Sequence, residues 1–261
     1  MFLCPGAHSP VCCGILELVN RFATSEFTGL LTDKELQMSA IAGADVLVYN
    51  DSHATIQKSI GAITDEVIAT LPDPHRLTSE ERRAIIARYT AVLEGNFIYW
   101  MTATLLATKA EDARPIILEN LHEETRDAHP HMMRMFAIEA HAFPTDRDAL
   151  EVHEDLTKVR LFLGRLSGVQ SVATMAFFEG FIQKFMPFLA SLAAAQGSTE
   201  MEYTDVHGVC DIAHTEGLYR ALWAEIAAEP LQPGTDVLEG VYLLRDLIEK
   251  IIWNKPQQVA A

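Results

Sequence analysis

The stretch from Val169 to Ala195, VQSVATMAFFEGFIQKFMPFLASLAAA, constrains this chain more than any other. It is long and apolar enough to span a bilayer, yet Glu179, Gln183 and Lys184 sit in mid-span, where lipid offers them no partner. A buried helix fits better. A helix that is apolar on all sides needs neighbours on all sides, so the rest of the chain must provide a shell of further helices.

Apolar residues recur at helical spacing along most of the chain, and strand-like alternation is almost absent. Thr78 and Glu81 have capping-box spacing ahead of a long helical run, and Pro144-Thr145, Gly197-Ser198-Thr199 and Pro233-Gly234-Thr235 mark later starts. The pattern predicts helices near 14–24, 33–57, 60–71, 79–108, 112–142, 146–165, 167–196, 200–228 and 235–254. The fold class is all-α. With 261 residues, 49% of them hydrophobic, one helical domain over 1–261 is expected, residues 1–13 forming a loose N-terminal arm.

The net charge of −16 disfavours nucleic acid and anionic membranes, which points to small molecules or proteins as partners. The four cysteines, Cys4, Cys12, Cys13 and Cys210, are too unevenly placed for a disulfide framework, and a reducing cytoplasm is expected. Cys4, His8 and Cys12 lack a CxxC pair and read as part of the arm rather than as a metal site. No basic n-region precedes an apolar segment at the start of the sequence, so no secretory signal is read there.

Glu179 then needs a reason to be inside an apolar helix, because a buried carboxylate persists only when protonated, paired or bound to metal. Metal-type residues on other helices supply one. His207, Asp211 and His214 fall at i, i+4 and i+7, a single stripe of the helix near 200–228. Glu119 and His122 stand at i and i+3 in ENLH, the carboxylate-x-x-His arrangement by which helical bundles ligate di-iron and di-manganese centres. Six nitrogen and oxygen donors without thiolate suit iron or manganese better than structural zinc.

The pieces ENLH, AFFEGF and HGVCDIAH resemble the ligand set of the heme-oxygenase-like diiron oxidases and oxygenases, over about residues 80–228. That family includes a fatty-acid decarboxylase that makes 1-undecene, a chlamydial protein associating with death domains, and N-oxygenating or lyase enzymes that act on amino acids. The resemblance implies a bundle of about seven core helices holding two irons that react with dioxygen as co-substrate. It makes Glu119, His122, Glu179, His207, Asp211 and His214 the ligands, with Glu179 bridging. In some members the first pair is spaced more widely, so His129, or Glu124 with His131, are alternatives to the ENLH pair.

A ferritin-like reading uses Glu94 beside Glu119, His122, Glu179, Asp211 and His214, but has no use for His207. A metal-free thiamine-type enzyme on the same bundle and a non-enzymatic interaction protein are further alternatives. The resemblance implies a small amino-acid or carboxylic-acid substrate, oxidised by desaturation, C–C cleavage or decarboxylation, or N-oxygenation, in natural-product biosynthesis. A homodimer is expected, with an external electron donor allowed for. Arg126, Arg134, Lys158, Arg160 and Arg165 are candidate partners for a substrate carboxylate, and Glu123, Glu124 and Thr125 for a substrate ammonium. Phe97, Tyr99, Trp100, Phe177, Phe178 and Phe181 are candidate cavity walls.

Overall fold

The computed structural model describes residues 53–254, and within them every regular element is a helix. Helix α1 covers 53–69. It is followed by α2 (Ser79–Leu93), α3 (Asn96–Ala107), α4 (Arg114–Arg126), α5 (His129–Glu139), α6 (Asp146–Leu163), α7 (Gly168–Ala195), α8 (Glu202–Ala228) and α9 (Glu239–Trp253). The expected arm at 1–13, the helix at 14–24 and most of that at 33–57 lie outside the described residues.

The capping signals act as their chemistry requires. Thr78 Oγ1 accepts the Glu81 N–H while the Glu81 carboxylate accepts the Thr78 N–H, and Thr145 and Asp148 repeat the arrangement at the start of α6. Two long helices expected from the sequence are each broken in two. The run 79–108 parts at Gly95, whose φ of 80° is the left-handed conformation glycine tolerates. The run 112–142 parts at Ala128, also left-handed with φ 57°, two residues before Pro130. Proline disfavours helical geometry in the residue before it and cannot donate a backbone hydrogen bond, so it opens α5 rather than continuing α4.

Helix α7 is the apolar stretch around Glu179, and it is buried around nearly its whole circumference. Its most extensive neighbour is α8, with α9, α3, α2 and α5 also against it. Among the described residues, no helix is long and apolar enough to cross a membrane. The start of α7 is fixed by a close approach: a Cβ on Gly168 would overlap the Glu225 carboxylate and press on the Ala107 carbonyl. Glu225, fully buried on α8, accepts the backbone N–H groups of Lys109 (3.0 Å) and Ala110 (2.8 Å), tying α8 to the turn between α3 and α4.

Helix α8 inverts the usual polarity of a surface helix. Val209 is 71% exposed and Ile212 47%, whereas His207, Asp211 and His214 are 6%, 1% and 8% exposed. The polar stripe faces inward, towards α7 and the α4–α5 joint.

Candidate metal centre

Among the described residues, six buried side chains form two groups: Glu124, His129 and His207, and Glu179, Asp211 and His214. Within each group one donor atom from every residue lies within 4.8 Å of the others. Helix α8 contributes to both groups, α7 supplies Glu179, and α4 and α5 supply Glu124 and His129 across their joint.

In the first group, His129 Nδ1 lies 2.8 Å from Glu124 Oε1, and His207 Nε2 lies 3.8 Å from the same oxygen. His207 Nδ1 donates to the Tyr203 carbonyl at 2.8 Å, which orients the ring and turns Nε2 towards Glu124. Burial acts to raise the Glu124 pKa, but the hydrogen bond with His129 and the charge of His129 and His207 outweigh it and hold the carboxyl at about 2. The Tyr203 ring packs on His207 with centroids 4.3 Å apart, and its hydroxyl shares a buried 2.8 Å hydrogen bond with Tyr89.

The second group is the less satisfied one. Glu179 Oε2 and Asp211 Oδ1 lie 3.9 and 3.6 Å from His214 Nδ1, too far for hydrogen bonds. His214 Nδ1 and Asp211 Oδ2 are buried without a hydrogen-bond partner. On its other side, His214 Nε2 donates to Glu123 Oε2 at 2.7 Å. Burial, reinforced by the charge of Asp211, pushes the Glu179 carboxyl well above the usual range, and burial raises Asp211 as well. Burial opposes charging of His214, but the facing carboxylates prevail and push its pKa up to about 10.

Two buried carboxyl groups crowding one another and an imidazole nitrogen without a hydrogen-bond partner face one point, and a bound cation would let both carboxyls ionise and give every donor a partner. Mixed oxygen and nitrogen donors without thiolate fit iron. The residues present therefore fit a metal at each group: Glu124, His129 and His207 would hold one and Glu179, Asp211 and His214 the other.

The structure brings together four of the six residues singled out by the resemblance, Glu179, His207, Asp211 and His214, and leaves out Glu119 and His122. Both are exposed on α4, because the inward stripe of that helix runs through Ile117, Asn120 and Glu124. Glu119 is five residues from Glu124 and His122 two, which turns both to the far side. In their place stand Glu124 and His129. His131 is exposed on α5 and outside both groups. Glu94, required by the ferritin-like reading, pairs with Arg134 instead.

Both groups border one small pocket, about 20 Å³, whose other walls include Leu93, Phe97, Met133, Phe178 and Ile182. Among the candidate wall residues, Phe97 and Phe178 line it, while Tyr99 is 39% exposed beneath the Arg160 guanidinium. None of the candidate cations lines this pocket. Arg126 pairs with Asp127, Arg134 with Glu94, Lys158 with Asp155, and Arg165 with Glu239. The candidate ammonium site is likewise taken up: Glu123 holds His214, Glu124 belongs to the first group, and the Thr125 hydroxyl donates to backbone carbonyls of its own helix.

Comparison with known proteins points to iron as well. Residues 85–248 match the family described as "Iron-containing redox enzyme". The chain belongs to that family. The matched span runs from within α2 to within α9 and takes in both groups and the pocket. No curated protein and no solved structure matches the chain. It is thus an iron-containing redox enzyme of heme-oxygenase-like, all-α architecture.

Proposed function

We propose that this enzyme is a nonheme diiron oxidase or oxygenase: two ferrous ions, one at each group, use dioxygen to oxidise a small amino-acid or carboxylic-acid substrate. The observation that carries this reading is the inverted polarity of α8. Burying His207, Asp211 and His214 beside Glu179 while leaving Val209 and Ile212 in solvent costs free energy that a metal-free bundle has no reason to spend. Iron bound there supplies redox chemistry with dioxygen that amino-acid side chains lack.

The protein's own part is to orient and to exclude water. The pocket walls Leu93, Phe97, Met133, Phe178 and Ile182 are apolar and suit a substrate with an apolar body, but at about 20 Å³ the space holds about one water molecule, so these side chains must move to admit it. With no arginine or lysine among the described residues along the pocket, the counter-charge for a substrate carboxylate comes from the cations at the two groups. The expected outcome is desaturation, C–C cleavage or decarboxylation, or N-oxygenation, in natural-product biosynthesis. The working unit we infer is a cytoplasmic homodimer of single-domain chains, supplied by an external electron donor where the reaction requires one.

Anaerobic titration with ferrous iron, followed by an oxygen pulse in stopped-flow absorbance with a panel of amino acids and fatty acids, tests this. A transient visible band that reaches full amplitude at two irons per chain, and decays faster with one substrate, is the expected result. No stoichiometric iron binding and no band would overturn the proposal.

A further inference from the structure

Glu123 and Glu124 are adjacent on α4 yet turn to different groups. Glu124 belongs to the first, while Glu123, with its side chain 28% exposed, accepts a hydrogen bond from His214 Nε2 of the second at 2.7 Å. Neutral imidazole has one N–H and one lone pair. Without metal the facing carboxylates keep a proton on both nitrogens of His214. A metal would take the place of one of them, and with the N–H held at Nε2 by Glu123 the nitrogen left for it is Nδ1, the atom that faces Glu179 and Asp211 and has no hydrogen-bond partner.

His207 has the opposite arrangement. Its Nδ1 donates to the Tyr203 carbonyl of its own helix, and Nε2 faces the first group. Two histidines on one stripe of one helix therefore offer opposite ring nitrogens. The second has no backbone partner to orient it, and two carboxylates on its Nδ1 side draw the ring proton towards the atom that must stay bare. Glu123 is the group on the opposite side of the ring that holds the proton at Nε2.

We propose that Glu123 is a positioning residue: it makes His214 ligate metal through Nδ1, while His207 ligates through Nε2. This rests on the two groups being metal sites, and it adds a residue to the machinery of the second one that makes no contact with metal itself. Partners of this kind are worth 10- to 100-fold in metal affinity.

The test uses the full chain and two readouts. Ferrous iron is titrated anaerobically against a chromophoric chelator in the native protein and in Glu123→Ala, Glu123→Gln and Glu119→Ala. The expected result is that Glu123→Ala weakens one of two sites about 10- to 100-fold, while Glu123→Gln, whose carbonyl accepts the same hydrogen bond, recovers much of the loss. Glu119→Ala, on the exposed side of α4, leaves both sites unchanged. In Zn²⁺-loaded protein, ¹⁵N spectra of the histidine rings are expected to show His214 metal-bound at Nδ1 and protonated at Nε2.

Two irons bound by Glu123→Ala with native affinity, or Zn²⁺ on Nε2 of His214, would overturn the positioning role and leave the metal reading intact. Failure of the native protein to bind any iron would overturn the metal reading and this inference with it. Unchanged helicity and melting temperature of metal-free Glu123→Ala are expected, and a collapse of both would assign Glu123 to the fold instead.

Discussion

Replacing Glu179 by leucine separates a metal ligand from a structural ion pair. Glu179 is 4% exposed and faces His214 Nδ1 at 3.9 Å, with Asp211 as a like-charged neighbour. At an effective dielectric of 20, two opposite charges about 4 Å apart attract by about 4 kcal/mol. Burial of a carboxylate costs several kcal/mol per ion, and repulsion from Asp211 adds to that, so the attraction is cancelled or exceeded. Leucine has similar bulk and fits the aromatic surroundings of α7. Metal-free Glu179→Leu is therefore expected to be as stable as the metal-free native protein or up to ~2 kcal/mol more stable, a rise in melting temperature of up to about 8 °C. Ferrous iron reverses the order: at a hundred times its dissociation constant it stabilises the native protein by about 2.7 kcal/mol for each site filled, and the variant loses the increment from the second group. Calorimetric melts of both proteins, with chelator and with anaerobic iron, measure this. Destabilisation of metal-free Glu179→Leu by about 3–5 kcal/mol, the usual cost of breaking a buried pair, would mean that the ion pair with His214 alone accounts for Glu179 and that no metal is needed there.

Three further outcomes are expected. Glu124→Ala and His129→Ala each lose one iron per chain, whereas Glu119→Ala and His122→Ala keep both, as read by iron stoichiometry after desalting. Gly168→Ala forces a Cβ against the buried Glu225 carboxylate and is expected to cost roughly 1–3 kcal/mol, measured by chemical denaturation. In chelator, the Glu124 carboxylate, held at about 2 against an ordinary 4.5, contributes stability that is complete above pH 4.5 and is lost as the pH falls from there through 2. Glu124→Gln flattens that acid limb, which melts recorded across the same range would reveal.

The parts of the site that could be read from the sequence are those governed by one unbroken helix. His207, Asp211 and His214 lie on one buried stripe because helical periodicity alone decides it, and Glu179 stands out because nothing else in its segment is acidic. The chain's all-helical character followed from periodicity for the same reason. Glu124 with His129 was not legible as a pair. Five residues apart on a continuous helix they would point about 140° from one another, and only the left-handed Ala128 brings them to 2.8 Å. Pro130 carried the signal of that break, as Gly95 did for the one between α2 and α3. Once the break is granted, Ile117 and Asn120 set the inward face of α4 and select Glu124 over Glu119. Glu123 was visible only as an acid near the site, since its partner lies 91 residues away on α8.

The joint at Asp127 and Ala128 also bears on how this site can drift between relatives. On α8, inserting one residue between His207 and His214 would rotate one histidine by about 100° against the other and dismantle the stripe. Across the joint no such phase is shared. The interval from the glutamate to the histidine is set by the two-residue turn between the helices, not by a helical spacing. A search pattern with a fixed gap at this point passes over sequences that build the same pair, whereas a fixed gap on α8 does not.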